Sequence, residues 1–187
     1  MATPPWFDDR KAAQVAAFFA KKEGDRIPVL KLMKLIYLSD REHMGRFGYP
    51  ILFDRLVSMP HGPVDSITLN LIDGNIQSDS WDNLIGDKAD YSVGLQKEIV
   101  EADLDELSDA EVVSLEAVWA NFGGMDKWTI RDWTHDNCPE WEDPHGSANP
   151  IPYERVLKFL GHKDASELAQ DLDLEIEIEK AFSTIRL

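Results

Sequence analysis

Between Lys31 and Leu38 the chain reads KLMKLIYL, apolar around most of a helix rather than along one stripe. A helix of that kind must be enclosed on several sides, so it is expected to be the hub around which the others pack. Pro28 suits its first turn, where the missing N–H would be unpaired anyway, and Gly48 suits its end, which predicts a helix from Pro28 to about Phe47. Ahead of it, Asp8 or Asp9 can cap a helix running to about Lys22, with Ala13, Ala16, Ala17 and Ala20 allowing close approach and Gly24 ending it. Further on, Ser108 and Glu111 have capping-box spacing, and Val112, Leu115, Val118, Trp119 and Phe122 recur with helical period before Gly123 and Gly124. Asp126 to about His135 and Pro152 to Leu160 read as two more helices.

The remaining segments are less regular. ILFDRLVSM, residues 51–59, is ambiguous between a short helix and an extended piece, because short apolar runs do not resolve by period. His61, Gly62 and Pro63 force a turn, after which Pro63 can begin a helix to about Ile72. Asp73 to Lys88 reads as loop, and Cys138 to Pro152 is rich in turn residues. Tyr91–Val93 and Glu98–Ala102 are β-prone and separated by Gly94, which predicts a small antiparallel hairpin. The tail alternates acid and aliphatic as LDLEIEIE, a strand-like period, yet its helix formers and the set Leu174, Ile178, Phe182 and Ile185 favour a helix. The predicted fold class is therefore mainly α, a compact helical domain around a buried central helix with a small antiparallel β-hairpin.

Charge changes the picture more than composition does. The 187 residues include 35 acidic and 19 basic side chains, a formal net charge of -16, which repels phosphate backbones and anionic lipid. Direct nucleic-acid and membrane binding are thereby disfavoured; such charge suits a basic protein partner, although in most acidic proteins it serves only solubility. The sole cysteine, Cys138, excludes an intramolecular disulfide. MATPPWFDDR lacks a basic segment followed by an apolar run, and a cytoplasmic location is expected.

As chemistry the sequence is sparse. No phosphate-cradling glycine loop, serine elbow or paired metal motif occurs. His61 sits where Gly62 and Pro63 fix the backbone, a setting that could hold a general base, but no nucleophile accompanies it. His135, Cys138 and His145 could approach a metal, yet zinc would need a fourth ligand, so no metal or cofactor is expected. Lys34, Asp40 and His43 on the hub helix read first as an internal ion-pair or capping network, since buried charge must be paired, and second as the lining of a partner groove. Six tryptophans exceed what a core of this size requires. Trp6, Trp81 and Trp141 lie in loop-like sequence and are the better surface candidates, although covering a helix end is the usual job of such a residue.

KLMKLIYLSDREHM, the glycine and proline of FGYPI, MPHGPV, LSDAEVVSLEAVW and WTHDNCPEW resemble, in that order, the Panacea domain, the SocA-like or GepA-like group of bacterial and phage proteins. The resemblance spans roughly residues 10 to 162, dividing the chain into a Panacea-like domain at 1–162 and an acidic extension at 163–187, expected to be helical, whose role the family does not supply. It implies a non-enzymatic antitoxin that binds and neutralises a cognate protein toxin encoded beside it. One variant of the family theme is an adaptor that delivers the toxin to a Clp-type protease. Carried onto the motif positions of this sequence, the candidate protein-binding residues are Lys34, Tyr37, Asp40 and His43 of the hub helix, His61 of MPHGPV, and Trp133, His135 and Trp141 of WTHDNCPEW. Two other classes stand beside it: a hydrolase using His61 and His135, and a nucleic-acid mimic whose acidic runs Glu101–Glu111 and Asp164–Glu179 enter a basic site.

Overall fold

A computed structural model describes residues 2–185. Helix α1 (Asp9–Glu23) begins where the Asp8 carboxylate accepts the Lys11 N–H at 2.9 Å and ends at Gly24 in the left-handed region. Its five alanines, Ala12 to Ala20, are fully buried and let it lie close to its neighbours. Strand β1 (Arg26–Pro28) leads directly into α2 (Val29–Phe47), in which every residue from Lys31 to Asp40 is buried. Helix α2 is the hub: it packs on α1, α5 (Asp109–Phe122), α6 (Lys127–Asn137) and α7 (Tyr153–Phe159), and on strand β3 (Gly62–Asp65). The Ser108–Glu111 capping box opens α5 as predicted, and the Asp126 carboxylate caps α6 through the Trp128 and Thr129 N–H groups.

The architecture is mainly α with a small antiparallel β component, as the sequence predicts, but the strands fall elsewhere. β2 (Leu56–Met59) and β3 form a hairpin with Pro60 and His61 at its turn, and β5 (Asn149–Pro150) adds to the other edge of β2. Pro63 thus lies in a strand rather than opening a helix. It is tolerated because β3 is an edge strand, and α3 (Ser66–Ile72) starts only after Asp65. The expected hairpin between Tyr91–Val93 and Glu98–Ala102 does not form. Strand β4 (Ser92–Gly94) instead pairs with the distant β1, Ile27 opposite Val93, and Glu101–Asp103 is a single 3₁₀ turn. The polar stretch read as loop after Asp73 carries one helical turn, α4 (Asp79–Asp82), which buries Trp81.

The tail is helix α8 (Ala165–Ile185). Ala165, Ala169 and Leu172 are buried on the body, and Lys180 Nζ lies 4.7 Å from the centre of the Trp6 ring. Among the described residues no helix is long and apolar enough to cross a membrane.

Candidate functional site

The polar residues of α2 hold its neighbours in place. Lys34, Tyr37 and Arg41 recur at helical spacing, so they share a face. Lys34 Nζ donates to the Pro63 carbonyl at 2.7 Å and fixes β3. Tyr37 and Arg41 both donate to Glu140 Oε1, at 2.5 and 2.7 Å, and fix the segment after α6. Asp40, on another face, accepts the Ile51 and Leu52 N–H groups, while His43 Nδ1 meets Ser114 Oγ of α5 at 3.0 Å. Lys34, Tyr37, Asp40 and His43 are each no more than 1% exposed, so they would affect a partner only through the surfaces they support.

Behind the β2–β3 hairpin lies an acid cluster. Asp54 accepts the Ile67 and Thr68 N–H groups and the Thr68 hydroxyl, whereas Asp40 Oδ2 and both Asp65 oxygens receive no N–H or hydroxyl donor. Burial raises Asp40 to about 7 and Asp54 to about 6, and burial beside those two carboxylates drives Asp65 well up. A proton held on Asp65 would give Asp40 Oδ2 the donor it lacks and leave one Asp65 oxygen without one. Burial also lowers Lys34 to about 7, against the pull of Asp65.

The hairpin turn is clamped from the other side as well. Trp141 Nε1 donates to the Met59 carbonyl at 2.9 Å, and the His135 ring stacks on Trp141 at 4.1 Å and 9°. Trp133 packs against Phe122 at 4.6 Å. At Gly62, φ is +97° and an added Cβ would sit 2.9 Å from both Lys34 Nζ and Thr134 Oγ1. Gly62→Ala combines left-handed strain with that collision, and it should cost about 1–2 kcal/mol, read as a lowered melting temperature without loss of secondary structure.

This clamped turn forms one wall of an open apolar groove of about 650 Å³. Met33 and Val64 form its floor, Met59 and Leu69 line it, and Trp128, His61 and Tyr91 stand at the rim. Trp128 is 49% exposed and Tyr91 84%. Of the residues expected at a protein contact, only His61 borders the groove; half-buried His135 and Trp141 brace the turn that walls it, and Trp133 packs away from it on Phe122 of α5. The tryptophan expectation is corrected too: Trp81 is buried, whereas Trp128 on α6 is exposed.

Tyr91 is held there by an unusual backbone. Asp90 and Tyr91 have φ of 52° and 57°, and Ala89 and Ser92 exchange both backbone hydrogen bonds, giving a two-residue turn with both central residues left-handed. Glycine or asparagine normally fills such positions, and a tyrosine there is strained. The Tyr91 carbonyl accepts the Val29 N–H at 2.9 Å, satisfying a free donor at the start of α2. The strain therefore holds a large aromatic ring out in water beside the groove.

The one thiol of this region is closed off from solvent. Cys138 is fully buried, and desolvation pushes its thiol up to about 12, so it stays protonated at neutral pH. Burial and the nearby Lys34 and Arg131 charges lower His135 below its usual range. Among the described residues no group of three or more His, Cys, Asp or Glu side chains could hold a metal ion.

Residues 32–142 match the family described as antitoxin SocA-like, Panacea domain, a span that covers more than half of the chain and includes the hub helix from Leu32, the hairpin, Tyr91 and Trp128. Neither the curated proteins nor the solved structures yield a significant match.

Proposed function

Because the chain belongs to the SocA-like antitoxin family that carries the Panacea domain, we propose that it neutralises a cognate protein toxin by binding it in the groove between the β2–β3 turn, Trp128 and Tyr91. The observation that carries this reading is Tyr91: a bulky residue kept in a left-handed turn, 84% exposed, beside an apolar groove within the family-matched span. Strain of that kind persists where function uses it. Exposed aromatic anchors around an apolar floor are also the usual composition of a protein-binding hot spot.

The test is co-expression with the toxin encoded beside the gene, following host growth and co-purification. Wild type should rescue growth and form a stable complex. Tyr91→Gly relieves the turn, so it should melt no lower than wild type while binding the toxin about tenfold more weakly, a loss of about 1.4 kcal/mol. Unchanged affinity in both Tyr91→Gly and Trp128→Ala would remove the groove from the mechanism. Rescue in which the toxin disappears in a protease-dependent way would instead identify delivery to a Clp-type protease.

A further inference from the structure

Helix α8 leaves a second apolar surface uncovered. Leu174, Ile178, Phe182 and Ile185 fall on one helical face and are 59%, 44%, 54% and 78% exposed. The stripe is about 16 Å long at 1.5 Å per residue. The face turned towards the body is occupied by Ala165, Ala169 and Leu172, so the outward stripe has no role in holding α8 down. Asp171, Glu175 and Glu177, all exposed, border it, making an apolar strip between carboxylates.

The groove has the opposite character. Although the chain carries 35 acidic residues, none lines it; its charged lining is Lys127 and Lys88, the latter already paired with Asp73, with His61 beside them. Lys127 and Arg131 both lie over the Trp128 ring, at 5.4 and 5.2 Å. An apolar floor with a cationic rim is the complement of the α8 stripe. The two features sit on different parts of the surface, α8 lying against Trp6 and α7, so they are available to meet between molecules.

We propose that the α8 stripe of one copy docks in the groove of a second copy, and reciprocally, closing a two-fold dimer with two equivalent contacts. Pairing α8 with α8 would bring Asp171, Glu175 and Glu177 of one copy against the same acids of the other, whereas stripe-to-groove pairing brings them to a rim that holds Lys127 and no carboxylate in its lining. A net charge of -16 on each copy opposes association, so the dimer is weak and readily displaced. Toxin binding in the same groove would then compete with self-association. That competition rests on the groove reading above; the self-association does not.

Sedimentation equilibrium of the full chain from about 10 µM to about 1 mM tests the proposal. Wild type should pass from monomer to dimer. Leu174→Glu with Ile178→Glu spoils the stripe, and Lys127→Glu with Trp128→Ala spoils the groove; each pair should weaken the dimer at least tenfold with melting curves close to wild type. Mixing the two variant proteins should restore a heterodimer, because one intact stripe still meets one intact groove. A wild type that stays monomeric over the whole range overturns the proposal. So does a groove variant that dimerises as well as wild type, which would mean α8 pairs with α8. A monomeric wild type combined with loss of toxin binding in the groove variant would sink the dimer and leave the antitoxin reading standing.

Discussion

Glu140→Ala should destabilise the protein by about 3–5 kcal/mol, because it strips the partner from two buried donors at once. Glu140 is wholly enclosed, and its Oε1 accepts both the Tyr37 hydroxyl and Arg41 Nε. Tyr37 has no exposed surface and Arg41 only 17%, so water cannot replace the lost carboxylate at the tyrosine and reaches the guanidinium poorly. The residue also fixes the start of the segment that brings Trp141 to the Met59 carbonyl, so its loss should loosen the groove wall. The urea midpoint should fall at constant slope, and the melting temperature by roughly 10 °C for a domain of this size. Glu140→Gln keeps an acceptor for both donors but loses the charge, and should cost about 1–2 kcal/mol. A Glu140→Ala protein that melts like wild type would mean that this connection does not hold α2 to the segment after α6.

What could be read from the sequence divides along the range of the interactions. Helices α1, α2 and α5 were legible because their signals are local: Asp8, the Ser108–Glu111 box and the glycines at 24 and 48 act within a turn or two of themselves. The burial of α2 on every side was legible from KLMKLIYL for the same reason. Strand β4 was not, since its partner β1 lies more than sixty positions earlier and Arg26–Pro28 has no strand signal of its own. Pro63 misled because the same fixed φ serves a helix start and an edge strand; only the pairing with Ser58 distinguishes them. In the site, the motif positions include residues that hold the hairpin, but nothing in the motifs says which side faces water. Lys34 and Asp40 are the internal capping network that buried charge requires, Lys34 on the Pro63 carbonyl and Asp40 on the Ile51 and Leu52 N–H groups, rather than the lining of a groove. Tyr91 and Trp128 gave no signal beyond residue type, because exposure of an aromatic in a turn or on a helix depends on what packs beside it.

The acid cluster behind the hairpin should make the protein more stable at pH 5.5 than at pH 7.5, the reverse of the usual acid sensitivity. A carboxyl whose pKa rises on folding holds its proton more tightly in the folded chain. Between the unfolded value of 3.8 and the folded value the native state therefore carries more protons, and stability falls as pH rises through that window. For Asp40 the window runs to about 7 and for Asp54 to about 6; Asp65, raised well above 3.8, acts in the same direction. Three groups oppose them. His43 and His135 are lowered by burial and favour higher pH around and below 6.5, and Lys34, lowered to about 7, adds stability as pH rises from there towards 10.5. At about 1.4 kcal/mol per unit, Asp40 and Asp54 together lose about 3 kcal/mol between pH 5.5 and 7.5 and Lys34 regains less than about 1; with Asp65 set against the two histidines, the melting temperature should fall by several degrees across that window. The high net negative charge adds to the effect, since acidification reduces repulsion across the whole surface. Asp40→Asn provides the control. Its side-chain oxygen can still accept the Ile51 and Leu52 N–H groups, and it removes one carboxylate from the cluster without removing the acceptor. The variant should be at least as stable as wild type at pH 7.5 and should show a visibly flatter dependence below it. If wild type is instead most stable near pH 8 and Asp40→Asn is strongly destabilised, the cluster is ionised and paired in the native state, and Lys34 rather than a shared proton compensates it.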